Sequence, residues 1–546
     1  MKKTIFLFTG MMLAAGWVAA QEQEQIQDAR IVIEKNRTNE VQVEERSFEK
    51  IAPPRQNRNA PIELNYQPVE FQAELSALDP SIRVLGLKSP KLPKSSSNFF
   101  RAGFGNYITP LLEGYVNTVR NKNMDAGLYL RHYSSLQGPV DKKNSASSEN
   151  ILGGQFNYYG KGASLNTHID YQRWGNRFYG YPAGTEVVLD DIKQNINFFN
   201  LGFDLKNTIE DANLDYKSSL NYHYTGDRFE ASENWVEFDG DFLYNSGDVW
   251  QAGVMVELDF AARQDSLVSD NRLGLQIIPN VKMSFDQFDL RLGLNFAYQN
   301  DTTDHLDNFM VFPHFEGIYH MGEYFEVFAS LKGDLHFNTY HNAIRYNPWM
   351  AANFALYNSA TPYDFTVGGR GKFSHFLSYE AQVGIGQVSN LMTVVNNPLD
   401  QAGFYTLYDG GKTTLFHIEG HLTYEGNGIN AGTDLRLNTY GTDQLEAAYH
   451  LPKLDLALWG NYQFNDKLSF GADLKVLGGI TAANVETGAN ENLKTIIDLG
   501  AKADYKITEQ FGAFVTIDNM LAQKYERFQH YPVRGFQMMV GATAQF

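Results

Sequence analysis

The 546-residue chain has no cysteine, and after its first twenty residues it has no long apolar run. It is also short of positive charge, with 45 Lys and Arg against 63 Asp and Glu, a formal net charge of −18. Without cysteine there is no disulfide framework, thiolate nucleophile, iron–sulfur cluster or cysteine-ligated zinc. The deficit of Lys and Arg removes the basic surface that nucleic-acid binding requires, so no nucleic-acid partner is expected. The mean hydropathy is −0.36, and no later stretch reaches the roughly 18 apolar residues of a membrane helix, which excludes a helical membrane protein. What is abundant is aromatic: 31 Tyr and 38 Phe. That composition suits a large soluble β protein or a membrane β-barrel, whose apolar band is hidden in alternation.

Residues 1–20 place Lys2 and Lys3 before an apolar run over 5–18 and close on Val18-Ala19-Ala20, the pattern of a cleaved secretory signal. Gln21 follows, so no lipid anchor is implied. Export of a large chain without disulfides fits a Gram-negative-type envelope. Over residues 21–98 Gln, Glu, Asn, Pro and Lys dominate, with Pro53-Pro54 and a Lys-, Pro- and Ser-rich run at 91–97. This predicts a disordered N-terminal periplasmic tail. Inside it Ile31, Val32 and Ile33 form a β-prone island suited to adding a strand to the edge of a partner's sheet. The tail is therefore a candidate docking segment for a periplasmic or outer-membrane protein; a short strand against the protein's own barrel is the other reading.

From Phe99 to Phe546 the chain falls into segments of roughly 9 to 13 residues with period-2 alternation. In the last, Phe536, Met538, Val540, Ala542, Ala544 and Phe546 share one face, and Gln537, Gly541, Thr543 and Gln545 the other, with Met539 an apolar exception. Leu290, Leu292, Leu294, Phe296 and Tyr298 oppose Asp289, Arg291, Asn295 and Gln299 in the same way. A soluble sandwich alternates too, but it has no reason to sort its connections by length. Here short turns near 506–509, 465–467, 425–428, 374–376, 321–323, 286–287, 245–248, 206–211, 160–162 and 120–123 alternate with longer connections, the longest at 338–363 and 389–412. With 404–408 assigned to a loop, this spacing predicts an all-β, transmembrane, antiparallel up-and-down β-barrel of about 22 strands. Lipid would cover its outer face, the location would be the outer membrane, and both chain ends would lie in the periplasm. Tyr158, Tyr159, Tyr244, Tyr462, Phe464 and Tyr505 stand at strand ends, where amphipathic rings favour the membrane interface.

Residues 517–525 read Ile-Asp-Asn-Met-Leu-Ala-Gln-Lys-Tyr, followed by Tyr531-Pro532-Val533-Arg534-Gly535-Phe536 and the terminal Phe546. In this order they resemble the C-terminus of TonB-dependent receptors, departing from its pattern by Met520-Leu521 in place of Leu-Phe and by Arg534-Gly535 in place of Gly-Arg. The resemblance implies a receptor-like outer-membrane barrel, with Phe546 as the insertion signal read by the barrel-assembly machinery. The general style of the chain is similar to barrels of Bacteroidetes. Receptors of this family carry a plug of well over a hundred residues, whereas only the 78 residues of 21–98 lie between the expected signal and the first expected strand here, so the expectation is a barrel lacking the conventional plug. The Ile31–Ile33 island resembles a TonB box in composition, and whether TonB drives the protein stays open. In that group Asp-Ser/Thr-apolar or -Thr triplets accept O-glycans; Asp265-Ser266-Leu267 and Asp301-Thr302-Thr303 fit.

No chemistry of an enzyme is visible. Neither His-Glu-x-x-His nor Gly-x-Ser-x-Gly occurs, and Gly411-Lys412-Thr413 imitates a phosphate loop without the required glycine, since Thr406 stands five residues before Gly411. No catalytic residue, cofactor or metal is expected. The most suggestive polar constellation is acidic: Glu237, Asp239 and Asp241 share one face of a strand, and Glu257 and Asp259 share the same face of the next. Together they form a candidate lumenal patch favouring cations, either permeant or bound as Ca²⁺. The plainer alternative is an ordinary charged wall, paired with inward Arg263, Arg291, Lys332, Arg436, Lys475 and Lys502. The loop at 338–363, with Tyr346, Trp349, Tyr357 and Tyr363, either folds inward as a partial plug or faces outward. Two functions remain: a receptor-like transport channel for polar nutrients or ions, gated by inward loops or the tail, and a non-enzymatic structural or accessory subunit of an outer-membrane assembly or export complex that docks partners through its tail.

Overall fold

A computed structural model describes residues 97–118, 121–245, 247, 249–301, 305–484 and 487–546. The expected signal, nearly all of the expected tail, and with it Ile31, Val32 and Ile33, lie outside the described residues.

The strands are β1 (Asn98–Gly105), β2 (Thr109–Asn117), β3 (Met124–Ser135), β4 (Ser147–Tyr159), β5 (Ala163–Arg177), β6 (Lys193–Asn207), β7 (Leu214–Gly226) and β8 (Ser232–Asn245). They continue with β9 (Trp250–Gln264), β10 (Ser269–Ser284), β11 (Phe288–Gln299), β12 (Phe309–His320), β13 (Phe325–His336), β14 (Ser359–Ser374), β15 (Leu377–Asn397) and β16 (Asp400–Gly426). The last are β17 (Ile429–Gly441), β18 (Leu454–Gln463), β19 (Leu468–Gly478), β20 (Thr481–Ala483), β21 (Asn490–Asn492), β22 (Ile496–Lys506), β23 (Phe511–Asp518) and β24 (Gln537–Gln545). β20 and β21 form a separate small hairpin; all the others form one 22-stranded sheet, antiparallel between neighbours. The sheet closes where β1 pairs with β24, from Phe99 opposite Gln545 to Gly105 opposite Met539. The expected barrel and its strand number are both present. Phe546 sits at this seam, exchanging backbone hydrogen bonds with Asn98 (3.0 and 3.1 Å) and stacking on Phe100 with ring centroids 5.8 Å apart.

Alternation decides which way each side chain points. On β11 Leu292, Leu294, Phe296 and Tyr298 are exposed on the outer wall, while Asn295 and Gln299 are buried on the inner one. An apolar outer wall over a closed cylinder is stable where hydrocarbon, not water, surrounds it, and closure leaves no unpaired edge in that medium. Met539 faces inward instead, packed with Leu111 and Phe514.

One end of the barrel carries ten short turns at the positions expected from the sequence. Between β16 and β17 the turn is only Asn427-Gly428, both at positive φ (52° and 75°), the Asn-Gly signature of a tight hairpin whose twist matches the strands. A girdle of exposed rings marks this end: Tyr158, Tyr159, Tyr244, Trp250, Phe285, Phe288, Tyr324, Phe376, Tyr462, Phe464, Tyr505 and Phe511.

The other end, the loop end, differs from expectation in several places, among them the β9–β10 connection, only four residues long. The β1–β2 connection is three residues long, and Asn106 finishes it by donating to Phe536 O (2.8 Å) and accepting from Met538 N (3.0 Å). Residues 404–408 are not loop: they continue β16, paired with residues 392–396 of β15. Val394 and Phe404 give this extension an apolar face, and other loops bury it, so the ladder continues past the point where membrane contact would end. The largest buried apolar cluster among the described residues lies at this end.

Candidate functional site

The connection between β13 and β14 folds into the mouth of the barrel. It opens with the short helix α1 (Tyr340–Tyr346), capped by Thr339, whose side chain accepts from Asn342 N at 3.1 Å. The barrel wall completes the cap. Glu233 of β8, 1% exposed, accepts the backbone N–H groups of Tyr340 and His341, each at 2.9 Å, a carboxylate placed where free helical N–H groups point.

Two arginines on the next strands hold the rest of the loop. Arg263 of β9 pairs with Asp265 (2.9 Å), donates to Phe354 O (2.8 Å), and lies against the rings of Tyr340 and Phe354. Arg272 of β10, 2% exposed, makes a two-pronged pair with Asp301 at 2.7 Å on each prong. It also donates to Asn338 O and Asn358 Oδ1, both at 2.5 Å, so both legs of the loop meet one guanidinium.

Above these anchors the loop is packed as a core. Tyr340, Ile344, Met350 and Phe354 join Ile196 and Phe198 of β6, Val394 and Phe404 of the β15–β16 hairpin, and Phe528 and Tyr531 of the β23–β24 connection. Trp349 packs on Tyr531 with the ring centroids 4.0 Å apart and donates Nε1–H to Arg177 O at 3.0 Å. Backbone hydrogen bonds from Ala351 N to Phe404 O (2.7 Å) and from Phe404 N to Trp349 O (3.0 Å) stitch the loop to the hairpin. Loop 338–363 thus takes the inward of its two alternatives, as a lid.

Two histidines are held in neutral form, His341 within the lid and His450 in the β17–β18 connection packed against it. His341 accepts from Arg345 Nε at Nε2 (2.8 Å), which leaves the ring proton on Nδ1, directed at Thr225 Oγ1 (2.7 Å). Burial, then the Arg345 charge and His223, push its pKa down to about 3. His450 donates from Nδ1 to Val394 O (2.7 Å), and burial holds its pKa down to about 4, with the Arg527 and His530 charges acting in the same direction. A base whose pKa is depressed on folding binds protons more readily when released, so its contribution is complete above the ordinary histidine pKa and is lost as pH falls toward the folded value. At pH 5 each ring should cost the closed lid about 2 kcal/mol. Amide exchange over α1 is therefore expected to accelerate between pH 7 and pH 5 beyond the intrinsic pH trend, and the His341→Gln variant should lose part of that dependence.

The five acidic residues read from the sequence do come together on the inner wall. Glu237 is opposite Asp259 and Asp239 is opposite Glu257, with Asp241 one step further along β8. Neutral donors serve them: Trp235 Nε1 to Asp259 (2.9 Å), Gln276 Nε2 to Glu257 (2.7 Å), Ser219 Oγ to Asp239 (3.3 Å). Among the described residues no Lys or Arg pairs with them. Three of the inward cations pair elsewhere, Arg263 with Asp265, Lys332 with Glu316 (3.1 Å) and Arg436 with Glu419 (3.1 Å). Among the described residues no group of three His or acidic side chains has the arrangement of a metal site. Glu233 and Arg272 were not singled out in the sequence, although each shares its strand parity with inward-facing neighbours, Trp235 and Gln276. Asp265 and Asp301, read as parts of glycosylation triplets, are the buried partners of the lid's two arginines.

Above the lid is an outward cavity of about 970 Å³, walled by the 178–192 and 227–231 connections and the tip of the β15–β16 hairpin, with Ala351, Ala352 and Asn353 of the lid among its lining.

Fold and lid together define a class: a closed 22-stranded membrane β-barrel whose mouth is covered by its own loop. No family model matches the sequence, and no curated protein matches it with significance. Solved structures do resemble it in fold. The FrpB iron transporter from Neisseria meningitidis superposes with a TM-score of 0.64 at 10% identity, over 83% of this chain and 82% of that one. The siderophore receptor PirA from Acinetobacter baumannii gives 0.60 at 11% identity, over 84% and 81%. The ferripyoverdine receptor of Pseudomonas aeruginosa gives 0.59 at 12%, over 84% and 72%. Identities this low establish a shared barrel architecture.

Proposed function

We propose that the protein is a receptor-like transport channel of the outer membrane, for polar nutrients or ions, in which the β13–β14 loop is the gate. The observation that carries this proposal is the lid itself: a packed loop, held at the barrel mouth by Glu233, Arg263 and Arg272, with polar and acidic walls below it. Iron and siderophore transporters among the structural neighbours support the transport class. In this proposal the turn end and both chain ends face the periplasm, the loop end faces outward, and the acidic wall favours cations in the lumen.

The absence of native cysteine makes the gate easy to lock. A Cβ placed on Gly403 lies 3.9 Å from that of Ala351, within the span of a disulfide. In the variant Ala351→Cys/Gly403→Cys, openings seen at high voltage in planar bilayers under reduction should vanish on oxidation and return with dithiothreitol. Equal conductance in both redox states would remove the lid from the gating role.

Two further parts of the proposal concern partners. Phe546 is the signal for the barrel-assembly machinery, and its deletion should lower the heat-modifiable barrel recovered from membranes several-fold. Residues 21–98, through Ile31, Val32 and Ile33, dock a periplasmic or outer-membrane protein, which should co-purify with the full chain and be lost with the tail.

A further inference from the structure

The cavity above the lid carries a definite chemical preference. One wall is aromatic: the rings of Phe178 and Phe229 lie 6.2 Å apart between centroids, beside Tyr181, whose hydroxyl is already engaged with Asp141 (2.9 Å) and Asn144 (2.8 Å). At the hairpin tip Leu399 stands 95% exposed on the cavity rim. The charged lining is three acids, Asp191, Glu230 and Asp400, against one cation, Arg228. That cation is already engaged, donating to the backbone oxygens of Asp190 and Lys193. The neighbouring Asp190 pairs with Lys193 at 2.5 Å, whereas among the described residues Asp191, Glu230 and Asp400 form no ion pair.

We infer that this cavity is a capture site for a cationic amphipathic molecule, such as a short peptide combining basic and aromatic side chains. A volume of about 970 Å³ suits a ligand of several hundred daltons. The aromatic wall and Leu399 take its apolar part, and the three carboxylates, which have no ion-pair partner among the described residues, take its positive charge. An anionic ligand meets net repulsion here. Part of the lining is the closed lid, at Ala351 and Ala352, so a ligand that fits this cavity favours the closed state; capture by itself does not open the gate. The inference rests on the proposed transport function for its purpose but not for its test.

The test uses the full chain in detergent and the dansyl-labelled tripeptide amide Lys-Phe-Lys, with the doubly lysine-acetylated peptide and Glu-Phe-Glu as controls. The cationic probe should bind saturably and at least tenfold tighter than either control. Asp191→Asn/Glu230→Gln/Asp400→Asn should weaken it at least tenfold without changing heat-modifiability. Equal binding of the acetylated peptide, or unchanged binding by the triple variant, overturns the capture site. Because binding is read in detergent and needs no opening of the lid, that failure is separate from a failure of gating, which is read by conductance.

Discussion

Replacing Arg272 by leucine is expected to release the lid while leaving the barrel closed. Arg272 is the joint between the wall and both legs of the loop: it holds Asp301 by two prongs and takes Asn338 O and Asn358 Oδ1 on its remaining donors. Asp301 in turn accepts Asn358 N at 2.7 Å. Removing the guanidinium strands a buried carboxylate, which costs about 3–5 kcal/mol, more than a typical single contact in the lid contributes. Almost none of these bonds join neighbouring strands to each other, so the penalty falls on the loop. Amide exchange over α1 should rise at least about a hundredfold, with heat-modifiability on gels retained. The double variant Arg272→Leu/Asp301→Leu should recover part of the protection, because it removes the stranded charge together with its partner.

Much of the barrel was legible in the sequence because a membrane wall imposes a strict rule. Outward side chains must be apolar, inward ones meet water or polar partners, and turns at one end must be short; each of the ten turns from 120–123 to 506–509 obeys it. The rule lapses above the wall. Residues 404–408 looked like loop because they lie beyond the length that a membrane strand needs, yet Phe404 pairs with Asn396 and buries its ring against Phe528 and Tyr531. The acidic pairs Glu237–Asp259 and Asp239–Glu257 were predictable from parity across a short turn. That no Lys or Arg pairs with them among the described residues was not, because Arg263 was drawn instead toward Asp265 and, far along the chain, Phe354 O. The lid anchors escaped for the same reason: Glu233 meets Tyr340 and His341 more than a hundred residues away, and a period-2 pattern says nothing about such pairs. Loop 338–363 announced its apolar aromatic content but not its direction.

The second large effect follows from excising the lid. The two ends of the loop are already adjacent, with Asn338 Nδ2 donating to Ser359 Oγ at 3.1 Å and Asn338 N to Asn358 Oδ1 at 3.2 Å, so a short Gly-Ser link in place of residues 340–357 closes the chain without straining β13 or β14. What is lost is the centre of the buried cluster: Tyr340, Ile344, Met350 and Phe354. The surrounding hairpin and the β23–β24 connection lose the surface they pack on, and Glu233, Arg263 and Arg272 become solvated rather than stranded.

Planar-bilayer conductance of this lidless chain, compared with its parent at the same protein amount and voltage, is the most direct measurement. Stable stepwise currents from the excised form, set against a closed parent, are the predicted result. A folded, heat-modifiable lidless barrel that stays as silent as its parent would contradict the account, since the mouth would then be sealed by something other than the loop.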